Sequence, residues 1–174
     1  GGRVALAFTM KYEEMVDQLI LESSSPGLQT EEEREARSKS DHALAEKIEK
    51  SGLDSFIEYW ENIPLFESQK TLPETKQQAI REDRLSQRVI GLTNSLRGMG
   101  TGSQPSFWDD LQNFTKPVLL ITGELDKKFQ QKAIDMKERF LCCKNVTVSN
   151  VGHAIHVENP QIFATIIEKH LETI

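Results

Sequence analysis

The sequence predicts an α/β fold, a parallel sheet flanked by helices and interrupted by a helical insertion. Three observations carry that expectation. Apolar runs at residues 16–22, 117–122 and 146–151 have strand lengths, and PVLLIT is apolar almost throughout, as a strand covered on both faces of a parallel sheet should be. Helical patterns at residues 3–12, 127–140 and 160–174 alternate with them, the arrangement that produces parallel strands. Between residues 30 and 113 no strand pattern occurs, and charged, helix-favouring stretches dominate.

In chain order, GGRVALAFTM runs from two glycines into a helix of small and apolar residues without a β-branched run. The strand VDQLILE ends in SSSPG, a turn cluster at a strand end. Thr30 followed by Glu33 has the spacing of a capping box, and Pro73 with Glu74 reads as another helix start. Pro64, Pro73 and the glycine-rich GMGTGSQP divide the insertion, whose Glu, Lys and Arg runs read as solvated helix faces. After PVLLIT come a helix, the strand VTVSNV and the loop GHAIHVENP. A last helix over 160–174 is expected to carry Ile162, Phe163, Ile166, Ile167 and Leu171 on one face. Three strands make a thin sheet, so the core over residues 1–29 and 114–174 is expected to be incomplete.

Composition narrows the function. The 174 residues suffice for one ordinary domain, and the net charge of −6 argues against a nucleic-acid partner, since phosphate binding needs clustered basic side chains. No apolar run has the length of a membrane span, and no membrane partner is expected. Cys142 and Cys143 are adjacent, too few and too close for a disulfide or metal framework, and read as thiols at a strand edge in a reducing cytoplasm. His153 and His156 form an H-x-x-H pair without further ligands at metal spacing, so neither a metal nor another cofactor is expected.

The loops SSSPG, GELDKKF and GHAIHVENP fall at the carboxyl ends of the strands, the edge where open α/β sheets bind ligands. The second offers Asp126 and the third His153. A carboxylate and an imidazole at neighbouring strand ends can meet, the carboxylate fixing the ring's tautomer and stabilising it when it takes a proton. Such a pair needs a nucleophile, yet the sequence contains no G-x-S-x-G, and Ser23, Ser24 and Ser25 lack flanking glycines. In a nucleophile elbow the serine stands on a strand-to-helix turn, and the triad order is serine, acid, histidine. GGRVALAF is what should follow such a serine, which is therefore expected two positions ahead of Gly1. The N-terminal segment carrying it becomes an expected partner of these residues. Without it the 174 residues should be inactive and expose a sheet edge.

Taken together, GGRVALAF, ESSSPGLQ with its continuation TEEEREARSKSDHALA, ITGELDKKF and VGHAIHVENP resemble the α/β-hydrolase-fold synthases of menaquinone biosynthesis, the MenH type. The resemblance runs the whole length, from just after the elbow to the last helix. It implies the C-terminal part of an α/β-hydrolase fold with a helical cap at residues 30–113, and a carbon–oxygen lyase that eliminates pyruvate from a cyclohexene substrate bearing three carboxylates. It implies that the elbow serine, activated by His153 and Asp126, removes a ring proton while backbone N–H groups hold the developing enolate. It further implies that Arg3, Arg37 and Arg84 bind the substrate carboxylates and that Trp60 lines the pocket, with Arg81 or Arg88 as alternatives to Arg84.

A serine hydrolase acting on esters or carbon–carbon bonds fits the generic fold features equally well. Arginines in the insertion favour the lyase, because a hydrolase of apolar esters would line its cap with apolar groups. Among the remaining residues, Phe129 is expected to pack under the Asp126 loop and His42 to be exposed. Trp108 is expected either to pack the insertion onto the sheet or to line the pocket.

Overall fold

A computed structural model of the chain describes residues 1–172, so Thr173 and Ile174, the end of the helix expected over 160–174, lie outside the described residues. Two compact units emerge, Gly1–Pro26 with Phe107–Ile174, and Gly27–Ser106.

The first unit is built on a parallel sheet in the order β1 (Leu19–Glu22), β2 (Val118–Gly123) and β3 (Cys143–Val148). All six residues of β2 are buried, which its unbroken apolar run demands of a strand with a paired neighbour on each side. Alternation along β2 feeds two cores. Val118 and Leu120 point to the cluster that holds Leu6 of helix α1 (Gly2–Lys11) and Ala133 and Met136 of α5 (Lys127–Lys137). Leu119 and Ile121 point to the opposite cluster, with Ile155 of α6 (Ile155–Glu158) and, at its margin, Phe163, Ile166 and Ile167 of α7 (Pro160–Leu171). Helices on both faces make this an α/β/α layering.

Several elements differ from their expected bounds for local reasons. Only the last four residues of the 16–22 run are strand, because Glu13–Met15 form a 3₁₀ turn and the chain reaches the sheet at Leu19, paired with Val118. The third strand lies three residues earlier than VTVSNV implied. It begins where Cys143 pairs with Val118 and stops before Asn150, whose φ of 60° turns the chain. GHAIHVENP is not all loop, since α6 sits inside it. On α7, Ile162 and Leu171 are 37% and 50% exposed, so the buried stripe is narrower than the expected five residues.

Residues 107–113, expected in the insertion, belong to the first unit because Trp108 and Leu111 bury in its core. Trp108 therefore packs the core, with Lys132 and Arg139 stacked on its ring.

The second unit is helical throughout its regular structure: α2 (Glu31–Glu61), a 3₁₀ segment Pro64–Thr71, α3 (Glu74–Leu85) and α4 (Val89–Met99). The capping box at Thr30 forms, with Thr30 Oγ1 accepting from Glu33 N and Glu33 Oε2 accepting from Thr30 N. Pro73 caps α3. The span α2 is two helical segments meeting at a kink, because Gly52 leaves the helical region with φ 81° and ψ 172°. Arg97 of α4 makes two hydrogen bonds to Glu49 of α2. His42 is exposed.

Candidate active site

The carboxyl ends of β2 and β3 hold the acid and the imidazole. Asp126 follows β2 and caps α5, its Oδ1 accepting from Phe129 N at 3.2 Å. Its other oxygen, Oδ2, lies 2.6 Å from His153 Nδ1. The Asp126 side chain is 4% exposed and that of His153 24%, so the acid is enclosed while the imidazole keeps an open side. Phe129 presents its ring edge-on to the imidazole, centroids 4.6 Å apart, which makes it a wall of the histidine as well as a packing residue of the Asp126 loop.

This closeness depends on backbone. Glu124 N donates to Val148 O and Leu125 N to Val151 O, drawing the loop after β2 against the loop after β3. A Cβ on Gly123 would stand 2.0 Å from Gly152 O and 2.4 Å from Val151 O, so only glycine permits the approach. The histidine loop is fastened by two carboxylates that sequence reasoning passed over. Glu158 Oε2 accepts from Gly152 N at 2.6 Å in a buried position. Glu22, at the end of β1, accepts from His156 N at 2.9 Å and lies 2.7 Å from His156 Nδ1. The two imidazoles of H-x-x-H thus pair with different carboxylates. A carboxylate five residues after a loop histidine, just before an Asn–Pro helix start, was the available signal for Glu158.

The first strand end is tight as well. A Cβ on Gly2 would overlap Ser24 Oγ, so the start of α1 packs directly on the turn after β1. Arg3 stands in the first turn of α1, partly buried. Ser23 adopts φ 40°, and among the described residues its buried hydroxyl has no hydrogen-bond partner, His153 included, so it is not the hydroxyl that His153 would activate.

Within the second unit, Arg37 on α2 donates from Nε to Asp41 Oδ1 at 2.8 Å. Arg84 on α3 is drawn in more deeply, its side chain 17% exposed. Nη2 donates to Gln69 Oε1 at 2.8 Å, Glu61 Oε1 is 3.7 Å from Nη1, and the guanidinium lies 4.8 Å from the Phe66 ring centroid. Burial pulls its pKa down, and the attraction of Glu61 opposes that pull. Of its two alternatives, Arg81 is committed to Glu61 and Arg88 is exposed at the start of α4. Trp60 lies between Phe56 and Phe66, with ring centroids 5.4 and 5.7 Å away. Trp60 and Arg84 share a cavity of about 200 Å³ with Phe56, Ile57, Leu92 and Leu96. One arginine and one tryptophan of the expected substrate set therefore meet at a partly apolar hollow, while Arg37 stands apart on the first half of α2.

Chemically, the first unit offers an imidazole whose Nδ1 is held by a buried carboxylate, the pairing that sets the tautomer of a general base. The second offers guanidinium groups suited to carboxylates.

No family model matches the chain. A Bacillus subtilis (strain 168) protein provisionally assigned as a 2-succinyl-6-hydroxy-2,4-cyclohexadiene-1-carboxylate synthase is 46% identical over 174 residues, all of this chain and 64% of that protein. The synthase of the same name from Photorhabdus laumondii is 31% identical over 153 residues, covering 88% of this chain and 52% of the relative. The solved structure of MenH from S. aureus superposes with a TM-score of 0.97 at 39% identity, covering 99% of this chain and 65% of the other. The chain thus spans under two thirds of these relatives. Residue identity and backbone agree along its whole length, and the chain belongs to the MenH family of the α/β-hydrolase fold.

Proposed function

We propose that the protein carrying this chain is a lyase of menaquinone biosynthesis. It would eliminate pyruvate from 2-succinyl-5-enolpyruvyl-6-hydroxy-3-cyclohexene-1-carboxylate to give 2-succinyl-6-hydroxy-2,4-cyclohexadiene-1-carboxylate. The observation that carries this reading is the 2.6 Å pairing of His153 Nδ1 with Asp126 Oδ2 at neighbouring strand ends, in a chain whose relatives bear the synthase name.

In this mechanism His153 accepts the proton of a serine hydroxyl, expected two positions ahead of Gly1. The serine oxygen removes a ring proton. The electron pair of that C–H bond forms the new ring double bond as the C–O bond to the enolpyruvyl group breaks, and the departing enolate takes up a proton to become pyruvate. Asp126 stabilises the imidazolium formed on the way. The substrate is a small-molecule polycarboxylate, handled in the cytoplasm. Arg3, Arg37 and Arg84 bind its carboxylates, Trp60 lines the pocket, and residues 30–113 act as the cap. Arginine suits the task because its planar fork matches a carboxylate and stays charged at any physiological pH. Among the described residues no helix is long and apolar enough to cross a membrane, consistent with a small-molecule enzyme.

Full-length protein offered the enolpyruvyl substrate should release pyruvate, and p-nitrophenyl esters should turn over slowly or not at all. Rapid ester cleavage without pyruvate release would replace the lyase with a serine hydrolase of the same fold.

A further inference from the structure

Asp41 is buried on α2, its side chain 4% exposed, and among the described residues its charged partner is Arg37, whose side chain is 46% exposed. Among the described residues, Asp41 Oδ2 has no hydrogen-bond partner. It is seated against Gly100 of the glycine-rich GMGTGSQP, where a Cβ would stand 2.5 Å from Oδ2. As a stabilising device this pair is poor. Burying a carboxylate is costly, half of this one is unsatisfied, and an i,i+4 pair with the base first is the weaker orientation on a helix.

As an orienting device the arrangement makes sense. Arg37 gives only its Nε to the protein, and neither terminal nitrogen has a partner among the described residues. With one edge of the planar guanidinium held on an enclosed oxygen, the plane is fixed and the terminal pair of nitrogens stays available, the pair that can grip a carboxylate through two parallel hydrogen bonds. An unanchored arginine would lose rotamer freedom when it bound, and pre-anchoring removes much of that cost.

We propose that Asp41 is a positioning residue for Arg37, presetting its guanidinium for one carboxylate of the substrate, and that Gly100 is the seat allowing the carboxylate to sit there. The proposal rests on Arg37 being a substrate-binding residue. The expected chemistry is a planar monocarboxylate group held end-on by Nη1 and Nη2.

The test is a double-mutant cycle in the full-length protein, read as kcat/KM for pyruvate release. Asp41→Asn should lower it about tenfold when Arg37 is present and less than twofold in the Arg37→Ala background, because Asp41 acts only through Arg37. Equal losses in both backgrounds would make Asp41 a merely structural residue and overturn the proposal. Should Asp41→Asn fail to fold, Arg37→Lys serves instead. It keeps the charge but has no Nε to anchor, and wild-type kcat/KM in that variant would also overturn the idea. An activity-independent readout separates this proposal from the lyase reading. The Arg37 Nε–H resonance, assigned by its loss in Arg37→Lys, should stand apart from the bulk arginine signal in wild type and merge with it in Asp41→Asn. A resonance unmoved by that substitution would sink the positioning role even in an active lyase. Its merging in a protein that releases no pyruvate would leave the anchor standing and discard the lyase.

Discussion

The two units fasten their candidate functional side chains by different means. In the first, the groups around His153 are tied to backbone: Asp126 to the amide of Phe129, Glu158 to that of Gly152, Glu22 to that of His156. In the second, the candidate arginines are tied to other side chains, Arg37 to Asp41 and Arg84 to Gln69 and Glu61, and Arg97 likewise to Glu49, whereas Arg34 donates to the Leu28 and Gln29 carbonyls. Proton transfer needs donor and acceptor set to fractions of an ångström, and amides at strand ends and helix starts supply fixed points. Carboxylate recognition tolerates a longer, adjustable arm, for which one anchored edge suffices.

The comparison can be broken at several places. Asp126→Asn keeps shape but can present an amide donor to His153 Nδ1, which favours the wrong tautomer. In full-length protein kcat should fall about 10³–10⁴-fold with little change in melting temperature. A loss below about tenfold would mean the imidazole is held by other contacts. Gly123→Ala drives a methyl group into the Gly152 and Val151 carbonyls, and denaturant unfolding should show the first unit losing about 1–3 kcal/mol, with activity falling alongside. Thr30→Ala removes one half of a capping box in the second unit, and hydrogen exchange along α2 should report about 1 kcal/mol of lost protection there and none in the sheet.

The smallest effect expected is with pH. Burial, with Lys144 adding to it, lowers the pKa of His170 below its ordinary 6.5. The unfolded chain then binds the proton more readily than the folded one. Stability associated with neutral His170 is intact above 6.5, declines as the pH falls below it, and levels off beneath the lowered value. Melts between pH 7.5 and 5 should show the decline, and His170→Gln should flatten it.

How far the sequence foretold this differs between the units for the same reason. PVLLIT forms the buried strand its apolar run predicts, and Asp126 and His153 fall at neighbouring strand ends, because strand runs and loop positions are local features. The strand start at Cys143 was not local. It follows from pairing with Val118, which no propensity in CKNVTV announces. Glu158 and Gly123 escaped notice because their partners are backbone atoms of another loop or a near neighbour, and backbone contacts leave no residue-type signature. Asp41 did have one, its i,i+4 spacing from Arg37, but in a segment crowded with Glu, Lys and Arg such spacings arise by chance. Ile162 and Leu171 lie on the expected helix but outside the set that packs on the sheet, which is Phe163, Ile166 and Ile167.

The most direct measurement is labelling of the full-length protein with a fluorophosphonate, followed by peptide mapping, in wild type and in His153→Ala. One adduct on the serine two positions ahead of Gly1, formed rapidly in wild type and lost in the variant, is the result expected of a hydroxyl energised by the His153–Asp126 pair. An adduct elsewhere, or one formed equally fast without His153, would contradict it.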